Sequence, residues 1–446
     1  MRRLLPPAAR CLAALLAALP AAAPAAAERE TTYVYPPFKH TLGMQRVGEL
    51  ELKLFLGPGA RIDNPQGLAA GKPESRDDPK TERDDDELNL FLVNSGRGEI
   101  LYNPSQTSLK RFGKGGSGEG QFAGARGIAV ERSGLVAVAD TGNRRIVLLR
   151  LGPEELAWEG VISAADGPFS PTAVAFAGGL LWATDYAGGR ILRFQPDGRW
   201  LDAWPLAAGA RLQGPLALAV QAKSDPWNQS GQFTLAVVDE GGAHLACFDD
   251  AGALRAEARV DDLLPGPASL GYPVIDLHGQ IVVPDSAGSR LLKLDAKLGV
   301  LDVLDHIDND ERGLQHPNSL ALYRRFGQLF IVEARGGSYA WTGTELSALR
   351  VARVDGQGKP GLQIEYHLSE PSLVSIDLLS GGAPHELMPA RRRGAGERRE
   401  WVALPPGTDP AALVIVKARP TYSAQQQLTV EGRLPLPPAL RSSEGP

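Results

Sequence analysis

Polar residues crowd the stretch from 302 to 318: Asp302, Asp305, His306, Asp308, Asp310, Glu311, Arg312, His316 and Asn318. Two imidazoles with carboxylates at hand could hold a divalent ion, because zinc accepts nitrogen and oxygen ligands and calcium accepts oxygens. The metal set would be His306, Asp308, His316 and Asn318. A bound metal would lower the pKa of its water and make a nucleophile near neutral pH. Arg335, Tyr339 and Trp341 follow in the next segment, and Tyr and Trp can stack on a sugar or an aromatic group. The spacing matches neither an EF-hand nor a zinc motif, and an acidic run is more simply a solvated loop.

Other chemistry is thinner. Gly113 to Gly120 is glycine-rich, but it lacks the order of a phosphate loop and leads into no helix, so it reads as a turn. No nucleophile elbow and no spaced Cys–His pair is present. Cys247 lies in the apolar run Leu245–Phe248 and reads as buried packing. Arg391, Arg392 and Arg393 with Arg398 and Arg399 make a basic spot that reads as charge protecting a sheet edge.

The elements that would position such residues repeat. Six times a short strand ends in a polar anchor, and a strand with an apolar or aromatic residue six positions on follows it. The pairs are Asn94 and Ile100, Asp140 and Ile146, Asp185 and Ile191, Asp239 and Leu245, Asp285 and Leu291, Glu333 and Tyr339. The anchors lie 46, 45, 54, 46 and 48 residues apart. A period in the forties built from short strands is the mark of a propeller blade. The anchors themselves read as construction parts, since a carboxylate at a strand end accepts hydrogen bonds from the N–H groups of the next turn.

Each unit opens with a turn that leads into its first strand. The residues at the head of that strand are Gln66, Arg126, Thr172, Leu216, Val274 and Asn318. In a propeller these gather around the axis on one face, where a ligand is expected. Gln66, Arg126, Thr172 and Asn318 are its polar members, with Arg335, Tyr339 and Trp341 reaching the same side. Residues 71–87, rich in Asp, Glu, Lys and Arg, form a charged insertion on the other face. A second insertion follows Glu333, which leaves open whether the last unit's third strand is at Tyr339 or at Leu349–Val354. Leu50 to Leu56 reads as an outer strand that closes the ring.

The best copy of the repeat is Gly120-Gln121-Phe122, then Arg126-Gly127-Ile128-Ala129-Val130, then Val138 to Ile146 with Asp140 and Arg145. It resembles the NHL-repeat family, and the resemblance spans roughly 50–368. It implies an all-β chain with a six-bladed NHL-type β-propeller. Amidating lyases with such repeats hold zinc through histidines on blade loops, and no lead-in position here is histidine. Calcium-dependent lactonases are similar only at Pro317-Asn318, and Leu216 and Val274 interrupt any oxygen cage. The stretch 363–432 alternates in hairpins and resembles the small immunoglobulin-like sandwich of flagellar-hook-capping and secretion-associated domains.

The domain reading is therefore a signal peptide over 1–27, an extension over 28–49, a propeller over 50–362, a sandwich over 363–432 and a disordered tail over 433–446. Arg2, Arg3 and Arg10, an apolar run from Cys11 to Leu19 and small residues at Ala25–Ala27 make the signal. Pro20 and Pro24 interrupt the apolar stretch, so an anchor is disfavoured. Losing three leader arginines leaves 44 basic against 52 acidic side chains, a formal charge of −8. That balance speaks against nucleic acid. The expectation is an exported, periplasmic or extracellular binding or scaffold protein. Its partner is a protein, peptide or glycan, and no cofactor is firmly implied beyond a possible zinc or calcium ion. The alternative is a metal-dependent hydrolase or lyase, and a third reading is a part of an envelope or secretion machine.

Overall fold

The computed structural model describes residues 33–34, 46–74, 88–105, 108–152, 155–163, 167, 169–207, 209–306, 313–325, 327–356, 359–422 and 429–438. The leader, most of the charged insertion, Asp308, Asp310, Glu311 and Arg312 lie outside the described residues. No helix among those described is long and apolar enough to cross a membrane.

The chain is all-β and its sheets repeat. The second one is typical: Ile128–Val130, Leu135–Asp140, Arg145–Leu151 and Leu156–Ile162 pair antiparallel in sequence order. Four-stranded sheets of the same order begin at Pro65, Val174, Ala217 and Val274, and a further sheet begins at Ser319. Their innermost strands touch in a closed circuit, 65–71 to 128–130 to 174–177 to 217–221 to 274–275 to 319–323 and back to 65–71. Sheets of this order set around an axis make a β-propeller.

The middle strands are buried on both faces, because each sheet packs between two others. Leu135 to Ala139 are all nearly inaccessible, and their sequence is accordingly a continuous apolar run rather than an alternating one. The outer strand Leu156–Ile162 alternates, with one face in water. Phe91, Val93, Ile100 and Tyr102 of the first sheet interlock with Val136, Val138, Val147 and Leu149 of the second. A bulge recurs at one place, between Leu148 and Leu149, Arg193 and Phe194, Cys247 and Phe248, Lys293 and Leu294. It sharpens the twist of each outer strand.

Close approach at the axis requires small residues. A Cβ on Gly127 would lie 2.6 Å from Ala173 Cα and 3.0 Å from Thr172 O. Those are backbone atoms of the neighbouring sheet, tied to Gly127 by its N–H to Thr172 O at 3.0 Å. Gly127→Ala is therefore expected to cost about 1–3 kcal/mol by forcing two inner strands apart. A urea midpoint unchanged from the parent chain would contradict it.

One expectation needs correction, and one open alternative is decided. Leu50 to Leu56 is not a strand: Glu49–Leu56 is an α-helix. The alternating leucines suggested period two, but Leu52 is 3% exposed while Leu50 and Leu54 are 68% and 72% exposed. Leu52 and Leu56, one helical turn apart, pack on Ala60, Leu101 and Leu109, so the helical period prevails. The outer position of the last sheet is instead filled by Tyr33–Val34 and Arg46–Val47, both paired to Gly336–Thr342. That strand pairs Glu333 with Gly336 and Phe330 with Tyr339, so the third strand of the last unit is at Tyr339 and not at Leu349–Val354.

The boundary at 362–363 falls inside the strand Lys359–Leu368, whose hairpin partner is Leu346–Gly356. These strands and Gly396–Ala403 form one sheet. Ala383–Arg393, Ser372–Ser380, Leu413–Pro420 and Val430–Pro435 form another, so ordered structure passes 432. Leu362, Ile364, Tyr366, Val374, Ile376, Val414 and Val416 fill the core between them.

Candidate functional site

The polar anchors form one repeated device. Asp140 Oδ1 accepts from Ala123 N at 2.8 Å, and Oδ2 accepts from Asn143 Nδ2 at 2.8 Å and Arg145 Nε at 2.9 Å. Asp185 and Asp285 accept from Ser170 N and Ser269 N and from the Nε of Arg190 and Arg290. Asp239 accepts from Gln213 N, and His244 takes the arginine's place at 2.6 Å. Glu333 accepts from Gln315 N and from Ser338. Asn94 accepts from Asp63 N and donates to Glu99 Oε1 at 2.8 Å. The main partner is thus the N–H of the incoming connection, with a side chain five residues on. The next turn's N–H, expected to be the chief partner, contributes only secondary bonds at Gly188 and Gly288. The glycine-rich turn is held by the same device: Arg145 Nη2 donates to Gly118 O and Asn143 Nδ2 to Gly116 O.

The lead-in face is closely tied. Thr172 is buried, its hydroxyl donating to Pro215 O at 2.9 Å and lying 2.8 Å from Thr184 Oγ1. Asn318 Nδ2 donates to Pro65 O at 3.1 Å, and Gln66 Nε2 to Asn64 Oδ1 at 2.8 Å. In the fifth sheet the lead-in position is taken by Gly271 and Tyr272 rather than Val274. Tyr272 N donates to Asn318 O, as Gly67 N does to Arg126 O and Gly127 N to Thr172 O. Sequence reasoning missed Tyr272 because two glycine and proline neighbours hid the short strand. Its buried hydroxyl crosses the axis to donate to Thr172 O at 3.0 Å. Burial pushes this phenol up, with the Arg126 charge acting against it.

Of the metal set singled out between 302 and 318, Asp308 lies outside the described residues. His306 Nδ1 lies 2.6 Å from Asp305 Oδ1, whereas His316 Nδ1 lies 2.8 Å from Ser286 O. Among the described residues no three His, Cys, Asp or Glu side chains are grouped to hold a metal. Arg335 is exposed. Tyr339 stacks on Phe330 with centroids 4.8 Å apart and packs with Tyr323 and Leu68, within its own blade and its neighbour. Cys247 is buried and burial pushes its thiol up to about 12.

A cavity of about 460 Å³ follows the axis from the inner strands to the opposite face. Its wall is Leu68, Ala69, Val174, Leu218, Tyr272 and Leu320 among others, and its rim carries Lys72, Glu74, Arg132, Trp227, Arg324 and Arg325. Glu74 and Arg132 pair at 3.0 Å. Arg324 Nε donates to Ile275 O at 2.8 Å and Nη2 to Val220 O at 3.1 Å, so one guanidinium ties three inner strands. The lead-in positions Gln66, Arg126, Thr172, Leu216 and Asn318 do not line this cavity, while Val274 does. This cavity opens on the face opposite the lead-in turns. The side chains of Thr172 and Asn318 at the lead-in turns tie neighbouring sheets together.

Residues of the C-terminal sheets and of the segment after Leu413–Pro420 meet the fifth sheet near that mouth. Tyr422 Oη accepts from Leu277 N at 3.4 Å, and its ring lies edge-on to His278 with centroids 5.7 Å apart. His367 Nε2 meets Leu301 O at 2.8 Å. Lys293 of the fifth sheet donates to Glu370, and both side chains have no solvent exposure. Asp276 Oδ2, Glu370 Oε2 and His278 Nε2 have no hydrogen-bond partner there. Burial raises Glu370 to about 8 against the pull of Lys293, and raises Asp276 to about 6. Burial lowers His278 to about 4.

No protein-family profile and no curated protein matches the sequence. Solved structures match in overall shape, at low likeness. A luciferin-regenerating enzyme is 13% identical, with a TM-score of 0.44 over 66% of this chain and 94% of its own. A putative gluconolactonase is 18% identical, with 0.43 over 64% and 91%. The virginiamycin B lyase of Staphylococcus aureus is 11% identical, with 0.40 over 56% and 76%.

Proposed function

We propose that the chain is an exported binding protein. It is a six-bladed propeller of the NHL-repeat type with an immunoglobulin-like sandwich docked on its rim, and it takes its ligand at the axial mouth ringed by Lys72, Arg132, Trp227 and Arg325. The reading of export rests on the basic and apolar leader. The observation that carries the binding reading is the cavity itself. It is walled by small and aliphatic side chains, closed by Tyr272 toward the lead-in turns, and open where exposed polar and aromatic groups stand. A concave space on which several placed polar groups converge is what a small-ligand site requires.

Arrays of glycans and peptides probed with the full chain, followed by hydroxyl-radical footprinting of the complex, test it. A bound ligand is expected to protect Trp227 and Arg132 and to leave Arg335 unchanged. Protection of Arg335 and Gln66 instead would return the site to the lead-in face.

A further inference from the structure

Trp227 stands in the turn between the first two strands of the fourth sheet. Its backbone is left-handed, at φ +64°, which a bulky side chain rarely adopts, yet 49% of the residue is exposed. The indole is thus not held there by its own burial. The turn around it is over-determined. Asp225 accepts from Ala222 N and Gly178 N at 2.7 and 2.8 Å. Asn228 donates to Ala222 O and Gln232 O, both at 2.8 Å. Gln229 N donates to Leu277 O of the next sheet at 2.8 Å. A strained position kept by so many bonds points to a use for the side chain.

The surroundings are cationic. The Arg325 guanidinium lies over the indole, 5.4 Å from the ring centroid. Arg324, fixed by two carbonyls, also makes an ion pair with Asp225, Nη1 lying 3.7 Å from Oδ2. Burial pushes the Arg324 pKa down, against the pull of Asp225 and Asp276. Arg324 and Arg325, with Lys72 and Arg132, place four cationic side chains around the mouth.

We infer that the mouth recognises an acidic sugar, its ring face on the Trp227 indole and its carboxylate on the Arg324 and Arg325 guanidiniums. Apolar C–H faces of a sugar suit an aromatic platform, and a planar guanidinium suits a carboxylate. The inference rests on the binding reading above and names the ligand class of that site.

Calorimetry on the full chain with trigalacturonate, maltotriose and benzoate tests it, alongside Trp227→Gly and Arg325→Met. Glycine accepts φ +64° without strain, so Trp227→Gly is expected to keep the parent melting temperature. Trigalacturonate is expected to bind and to weaken about tenfold or more in either variant, and to weaken with added salt. Maltotriose binding as well as trigalacturonate would overturn the acidic class, and benzoate binding alone would overturn the sugar. In both cases a loss in Trp227→Gly would leave the mouth as the binding site. Trigalacturonate binding equally to the parent and both variants would overturn the mouth itself. No binding by any of the three would overturn the inference while leaving the array and footprinting result to judge the binding reading.

Discussion

Replacing Lys293 by methionine is expected to destabilise the folded chain by about 3–5 kcal/mol at alkaline pH, and by less in acid. Lys293 of the fifth sheet and Glu370, which precedes the strand Ser372–Ser380, are both fully buried. Removing the cation leaves Glu370 and Asp276 in a dry space with unpaired oxygens. In acid the carboxyls can neutralise by protonation, so the loss shrinks; in base they cannot. The charged and titratable groups facing this point are Asp276, His278, Asp302, Arg324, Tyr422 and Arg392. Asp302 sits opposite Lys293 in the strand pair.

The sign of the parent chain's pH dependence follows. Glu370 is raised from 4.5 to about 8, so it binds a proton more tightly folded than unfolded. Its contribution is complete below about pH 4.5 and is lost as pH rises through about 8. His278 runs the other way: lowered from 6.5 to about 4, its contribution is present above 6.5 and lost as pH falls through about 4. Glu370→Gln is expected to flatten the alkaline decline. Lys293→Met/Glu370→Met is expected to be more stable than Lys293→Met alone. Urea midpoints at about pH 6 and about pH 9 measure all of this, since the linkage slope between them reports the proton. A Lys293→Met cost equal at both would remove the buried cluster as its cause.

Much of the ring was legible because its parts recur. The anchor spacing marks each second and third strand, since every copy needs a buried acceptor at the same corner. The helix at Glu49–Leu56 was not legible, because Leu50, Leu52, Leu54 and Leu56 satisfy period two as well as period four, and only the packing of Leu52 on Leu101 decides. The Lys293 site was half visible. It occupies the bulge position held by Leu148, Arg193 and Cys247 in other sheets, and a lysine within Leu291-Leu292-Lys293-Leu294 is an anomaly that calls for a partner. The partner lies 77 residues away, outside the repeated sheets, beyond any local pattern. The mouth was missed for a different reason. The acidic stretch near His306 drew attention by composition, whereas Trp227 and Arg324 are single residues in turns, and only closure of the ring brings them to one rim.

Asp140→Ala is expected to cost about 3–5 kcal/mol, because it strands a partly buried N–H and leaves the arginine's charge without its buried carboxylate. Ala123 N, Asn143 Nδ2 and Arg145 Nε all lose their acceptor at once. Asp140→Asn keeps an oxygen for Ala123 N but turns a donor toward Arg145, so a smaller loss is expected. The first sheet shows how that amide can be matched. There Asn94 holds Asp63 N by its oxygen and donates its amide to Glu99, an inverted polarity at the same two positions. Asp140→Asn/Arg145→Glu should therefore recover part of the loss of Asp140→Asn. Recovery is incomplete because Arg145 also donates to Gly118 O and Gln121 O of the preceding turn. Thermal and urea unfolding of the four chains measure the coupling. If Asp140→Ala cost less than about 1 kcal/mol, the connections would be held by the packing of Phe122 and Ala125 instead, and the recurring carboxylate would need another explanation.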